Sequence, residues 1–276
     1  MQKVKQSKNN KLPHSLNKSD LVKSGLVGDV DYSAQYLEII KSIFDTIIKE
    51  ERESIEKAAE AFANTIEKRK PVHFFATGHT QAAVIDMFNR GGELYAYNGI
   101  LDPALSVING ALRTTFVERL HGYAETIANY YELREGETIV IISNSGINAV
   151  PIEMAMEAKK RGLTTIGITS ISWSKAMSSR HSSGKKLHEV VDIVIDNHVP
   201  IGDAVIDIPG MFPKVAPVSN IVNCAILHMI SIKACELLLK RGIEPPVRII
   251  HNVSGGFEYN LKLRDKWPEY RYFKHR

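Results

Sequence analysis

From Tyr32 onward apolar residues recur every three or four positions: Tyr36, Ile40, Ile43 and Ile47, then Ile55, Ala59, Phe62 and Ile66. That period predicts an amphipathic helix. The charged run Lys49-Glu50-Glu51-Arg52-Glu53 interrupts it, and a kink or a break into two helices is expected there. Lys68, Arg69 and Lys70 suit the negative end of a helix dipole, and Pro71 stops the helix. The pattern then changes to short apolar runs alternating with helical ones. Strands are expected over 72–76, 93–97, 137–143, 164–169 and 190–195. Helices are expected from residue 80 through 89, from about 116 to 133, and over 149–161 and 218–240. Residues 98–113 mix turn and apolar residues and predict no single element; 170–186 is a polar loop, 201–217 is broken by Gly and Pro, and 242–276 is irregular, basic and aromatic.

The strand at 137–143 is apolar at every central position, as expected when helices cover both faces of a parallel sheet. Alternating strands and helices therefore predict a single α/β domain over about 31–276, a three-layer sandwich, with no internal repeat. In such folds ligands bind beyond the carboxyl ends of the strands.

Composition narrows the function classes. The pI of 8.9 invites a nucleic-acid reading. However, Lys3, Lys5, Lys8, Lys11, Lys18 and Lys23 against Asp20 give the first 28 residues +5 of a whole-chain +4. The folded part is near neutral, so the basicity belongs to a polar tail at 1–30, expected to be disordered and solvated rather than to bind nucleic acid. The longest apolar runs are strand-sized, short of the roughly 20 residues of a membrane span. Cys224 and Cys235 share one expected helix, about 16 Å apart at 1.5 Å per residue, and cannot bridge each other. That fits a reducing cytoplasm. No Cys/His spacing reads as a zinc site, and no metal or cofactor is expected.

The chemistry is expected in the loops. Thr77-Gly78-His79-Thr80 follows the first strand, and Ser143-Asn144-Ser145-Gly146-Ile147-Asn148 follows the third. Each puts hydroxyls and a glycine between a buried strand and a helix N-terminus, where free N–H groups and the dipole favour an anion. Ala216-Pro217-Val218-Ser219-Asn220 opens the last long helix in a similar way. The competing reading is helix capping, which Ser and Thr also perform. Two such loops in one sheet, together with this helix start, favour a phosphate. There is no Gly-Lys-Ser/Thr phosphate loop and no Gly-x-Gly-x-x-Gly, which argues against nucleotides.

With these motifs the chain resembles the sugar isomerase (SIS) domain family over roughly residues 32–240. The segments 142–151, 179–187 and 200–204 are similar to the bacterial UPF0309 group of that family. The resemblance implies a flavodoxin- or Rossmann-like five-stranded parallel sheet, a homodimer or homotetramer, and a sugar phosphate in the Ser/Thr loops. Gly78-His79 stands where Gly-x-Gly is more usual in the family.

An aldose–ketose isomerase needs a base to move a proton between C1 and C2, and a group that opens the sugar ring. Glu118, His121 and Glu125 share one stripe of the helix expected at 116–133, opposite the apolar Leu120, Ala124, Ile127 and Tyr131. Glu118 or Glu125 is the candidate base and His121 the candidate ring opener. A polar stripe opposite a core is ordinarily solvated surface, so a second subunit would have to cover it. His181 and Lys185 in the polar loop, and Asp203, are further candidates. Asp86 and Glu153 are expected to cap or pair, and His228 to be a core residue with its nitrogens satisfied. The expected function is a cytoplasmic sugar-phosphate isomerase without cofactor. Its rivals are a non-catalytic phosphosugar sensor and a phosphosugar etherase or lyase.

Overall fold

Successive side chains of a strand point to opposite faces, and this sheet buries both. Val72, Phe74 and Ala76 enter one core with Val140, Ile142, Ile166 and Ile168, while Phe75, Ile139 and Ile141 enter the other. The computed structural model describes residues 30–272, so the basic segment 1–29 lies outside the described residues. The strands are β1 (Val72–Ala76), β2 (Tyr97–Ile100), β3 (Thr138–Ile142), β4 (Thr164–Thr169) and β5 (Ile193–Asp196). They form one parallel sheet in the order β2-β1-β3-β4-β5, and β6 (Ala204–Ile206) pairs antiparallel with β7 (Val215–Pro217). Helices α1 (Tyr32–Glu50), α2 (Arg52–Glu67), α3 (Gln81–Met87), α4 (Ala111–Val117), α5 (Tyr123–Tyr130), α6 (Ala149–Lys160), α7 (Ile171–Ala176), α8 (Ser219–Lys240) and α9 (Gly256–Lys266) complete the described chain.

The expected helix break falls at Glu51, the shared residue between α1 and α2. Its carboxylate accepts from the backbone N–H of Asp196 at 3.2 Å and lies 3.3 Å from His198, which ties the break to the end of β5. The first core joins α1, α2, α3, α8 and α9 to the sheet; α5 and α6 cover the other face. In the first core Phe62, Phe74 and Tyr97 meet edge-on, with centroids 4.9 to 5.9 Å apart. Each such pair contributes about 0.5–1.5 kcal/mol beyond its buried area. The buried Tyr97 hydroxyl is satisfied by Ser231 of α8 at 2.7 Å.

Several expectations are corrected. The second strand begins at Tyr97 rather than Glu93, because Leu94 and Tyr95 turn away to bond the C-terminal segment at Val247 and Pro246. The segment expected to be irregular at 242–276 contains α9, whose Leu263 is buried together with Trp267 and Tyr270 just beyond it. α8 is long and apolar enough to cross a bilayer, against the expectation that no stretch is. It packs Val222, Ile226, Ile230 and Ala234 into the first core, where an all-round apolar helix belongs. The helix expected over 116–133 is two helices, α4 and α5, separated by a turn at 118–122 in which Gly122 has φ +79°.

Candidate functional site

β1 and β3 are neighbours in the sheet, so the loops at their carboxyl ends lie side by side. Thr77 and Thr80 are nearly buried, Gly78 takes a positive φ of 66°, and His79 points to solvent. After β3 the chain turns at Gly146, φ +63°, where an added Cβ would sit 2.8 Å from the Thr169 hydroxyl. Only glycine combines that dihedral with that approach. The Gly146 N–H donates to Ser143 Oγ at 3.3 Å. Asn144 points inward: its Oδ1 accepts from Asn197 at 2.9 Å and Asn223 at 3.0 Å, and Asn197 also donates to Asn223. This amide triangle fixes the loop, so the side-chain oxygen of Asn144, a residue expected at the ligand site, holds the loop's shape. Asn148 precedes α6 without capping it, its oxygen instead accepting from Arg180 at 2.7 Å. Among the described residues the N–H groups of Ser145, Ile147 and Asn148, and the Ser145 hydroxyl, donate to no protein acceptor.

The break at 118–122 redistributes the three residues expected on one stripe. Glu118 caps the end of α4 and turns inward, and its Oε2 accepts from Thr77 Oγ at 2.7 Å. Its backbone oxygen accepts from the Val150 N–H at 3.1 Å, which fastens the turn to α6. Burial raises the Glu118 carboxyl above the usual glutamate range, against the lowering effects of the Thr77 bond and of Arg119 and Arg180. Glu125 lies in the first turn of α5, exposed and away from this contact. Leu120, expected in the core, is 52% exposed, as Ile108, Leu112 and Phe116 are exposed too.

The third expected anion loop is filled. Asp203, held at φ +70° beside β6, accepts from the N–H groups of Val218 and Ser219 at 3.0 and 2.8 Å and from Ser219 Oγ at 2.7 Å. The protein's own carboxylate occupies the start of α8, so neither Ser219 nor Asp203 is free to hold a ligand's phosphate.

His121 and His181 meet over Glu153 of α6. His121 Nδ1 is 2.8 Å and His181 Nε2 3.5 Å from the same oxygen, Oε1, while the Gly122 N–H donates to Oε2 at 2.7 Å. Glu153 pairs, as expected for it, with partners that no sequence spacing indicates. Arg180, which reaches both Asn148 and the neighbourhood of Glu118, was not singled out from the sequence either. Lys185 is exposed on the same loop. His228 has both nitrogens satisfied, by Glu93 at 2.6 Å and Asp86 at 2.9 Å. A cleft of about 490 Å³ lined by Lys70, His73, Asn98 and Glu137 lies at the amino ends of the strands, the opposite end from these loops.

The SIS domain family matches residues 35–170. A UPF0309 protein of Caldanaerobacter subterraneus subsp. tengcongensis is 38% identical over 237 residues, covering 85% of this chain and 96% of the relative. One from Geobacillus kaustophilus is 35% identical over 235 residues, covering 85% and 94%. Among solved structures, a phosphoheptose isomerase of Neisseria gonorrhoeae superposes with a TM-score of 0.49 at 16% identity, covering 74% of this chain and 97% of that one.

Proposed function

From a chain that belongs to the UPF0309 protein family and carries a SIS domain, we propose binding of a phosphorylated sugar at the carboxyl ends of β1 and β3, with aldose–ketose isomerisation there. Glu118 is the base. As a carboxylate it takes the proton from C2 of the open-chain aldose, leaving an enediol, and returns it to C1. The hydroxyl proton moves from O2 to O1, so no redox cofactor is needed. The observation that carries this reading is the 2.7 Å bond between Thr77 Oγ and Glu118 Oε2, which sets a carboxylate with a raised pKa against the loop after β1, beside the phosphate loop of β3. A base whose pKa lies closer to neutrality transfers protons more efficiently than an ordinary glutamate. The phosphate is held by the N–H groups of Ser145, Ile147 and Asn148 and the Ser145 hydroxyl, at the positive end of α6.

The proposal includes a homo-oligomer in the cytoplasm, in which a second copy covers the exposed apolar side chains of Ile108, Leu112, Phe116 and Leu120. Equilibrium sedimentation that finds only monomers removes that part.

The test is a thermal-shift panel of sugar phosphates with inorganic phosphate as control. A ligand at 100 times its dissociation constant adds about 2.7 kcal/mol. Ser145→Ala is expected to abolish that shift while leaving the unliganded melt within about 0.5 kcal/mol of wild type, because its hydroxyl has no protein partner. If no sugar phosphate shifts the melt beyond phosphate itself, the reading fails. Binding without deuterium exchange at C2 leaves the non-catalytic sensor, and cleavage leaves the etherase or lyase.

A further inference from the structure

Three segments far apart in sequence bring His121, Glu153 and His181 together: the turn before α5, the second turn of α6 and the loop after α7. Their ligand atoms all lie within 4.8 Å of one another. Around the shared Glu153 oxygen the separations are 2.8 and 3.5 Å. In a tetrahedral zinc site with bonds of roughly 2.0–2.1 Å, neighbouring donor atoms are about 3.3 Å apart. Two of the three pairs stand within about 0.5 Å of that spacing, and the third, between the two imidazoles, lies within 4.8 Å.

The surrounding groups are those that orient metal ligands. The second oxygen of Glu153 is held by the Gly122 N–H at 2.7 Å, and the far nitrogen of His181, Nδ1, lies 2.7 Å from Ser183 Oγ and accepts the Ser183 N–H at 3.2 Å; ligation through Nε2 puts the proton on Nδ1, donated to Ser183 Oγ, and turns the Ser183 N–H away. The Glu153 and His181 side chains are only 13% and 9% exposed, whereas His121 is 47% exposed. Two deep ligands and one at the surface leave the remaining coordination position facing solvent. Two imidazoles and one carboxylate suit zinc and its transition-metal neighbours, not magnesium or calcium, which take oxygen donors.

We propose that His121, Glu153 and His181 bind one zinc-class divalent cation. The ion ties the turn carrying Glu118 to α6 and to the 177–189 loop. His121 is then an ion ligand and not the opener of the sugar ring. The inference needs no substrate and stands apart from the reaction proposed above.

The experiment uses the full chain, stripped with a chelator and titrated with Zn²⁺ by calorimetry and with Co²⁺ by visible absorption. One equivalent of Zn²⁺ and an intense tetrahedral Co²⁺ band are expected. Glu153→Gln, His121→Ala and His181→Ala should each weaken binding by more than about 100-fold, and Ser183→Ala by roughly 10-fold. His121→Ala removes an exposed side chain, so its metal-free melt should match wild type even if the buried variants fold poorly. His228→Gln is the control and should leave the stoichiometry at one. A wild-type chain that binds no Zn²⁺ overturns the proposal. So does undiminished binding in folded His121→Ala, or a site lost in His228→Gln, which would move the ion to Asp86 and Glu93.

Discussion

The starts of α6 and α8 look alike in sequence and differ in the fold. Both follow a strand and carry Ser and Asn near a helix N-terminus. At α6 the preceding Asn148 makes no cap, and the N–H groups of Ser145, Ile147 and Asn148 have no acceptor among the described residues. At α8 the Asp203 carboxylate takes two N–H groups and a hydroxyl at 2.7 to 3.0 Å. The dipole and the free donors favour an anion at both ends. One end has its anion built in, and the other leaves room for a ligand's. What separates them is a residue 16 positions upstream of Ser219, delivered by the β6–β7 hairpin.

The comparison is broken most severely if the open end turns out to serve no chemistry. Glu118→Gln keeps the size of the side chain and an acceptor for Thr77 but removes the base. Turnover is expected to fall by about 10²- to 10⁴-fold, while the sugar-phosphate thermal shift persists. Equal loss of binding and turnover would make Glu118 a structural acceptor instead. The pH profile adds a signature. Because burial raises the Glu118 pKa, kcat/KM should rise with pH through a value above the usual glutamate range, and the limb should vanish in the variant. Stability runs the other way. A raised folded pKa contributes stability below the unfolded value, and that contribution is lost as pH rises through the folded one.

The sequence carried the sheet well because its signal is local. An uninterrupted run such as Thr138–Ile142 has few other uses than a strand covered on both faces, and Thr77, Gly78, Ser145 and Gly146 fall where strand-end loops should. The site was legible only in part, because its contacts are set by turns and by remote partners. Gly122 breaks the helix expected over 116–133, so Glu118 and Glu125, which share one stripe of that helix, face different surroundings. Asn144 looked like a ligand donor until the fold brought Asn197 and Asn223 to it. The meeting of His121, Glu153 and His181 has no sequence spacing to betray it, which is why searching for zinc signatures finds nothing there. Nothing in the sequence around Asp203 indicates that its carboxylate fills the start of α8.

That last point allows the comparison to be sharpened by making the two ends alike. Asp203→Gly removes the carboxylate at a position whose φ of +70° suits glycine better than aspartate. Two effects oppose each other. The lost hydrogen bonds to Val218 and Ser219 cost about 1–2 kcal/mol, as for a lost helix cap. Relief of the left-handed conformation returns roughly 1 kcal/mol of that. The net loss is at most about 1 kcal/mol, or a melting temperature lower by roughly 2–4 °C in a domain of this size. Inorganic phosphate should then stabilise Asp203→Gly more than wild type, because a second helix start has become free. Ser145→Ala in the Asp203→Gly background should lose the sugar-phosphate shift and keep the new phosphate effect. If phosphate acts equally on wild type and Asp203→Gly, the Asp203 carboxylate is an ordinary cap, and it was not what kept an anion from α8.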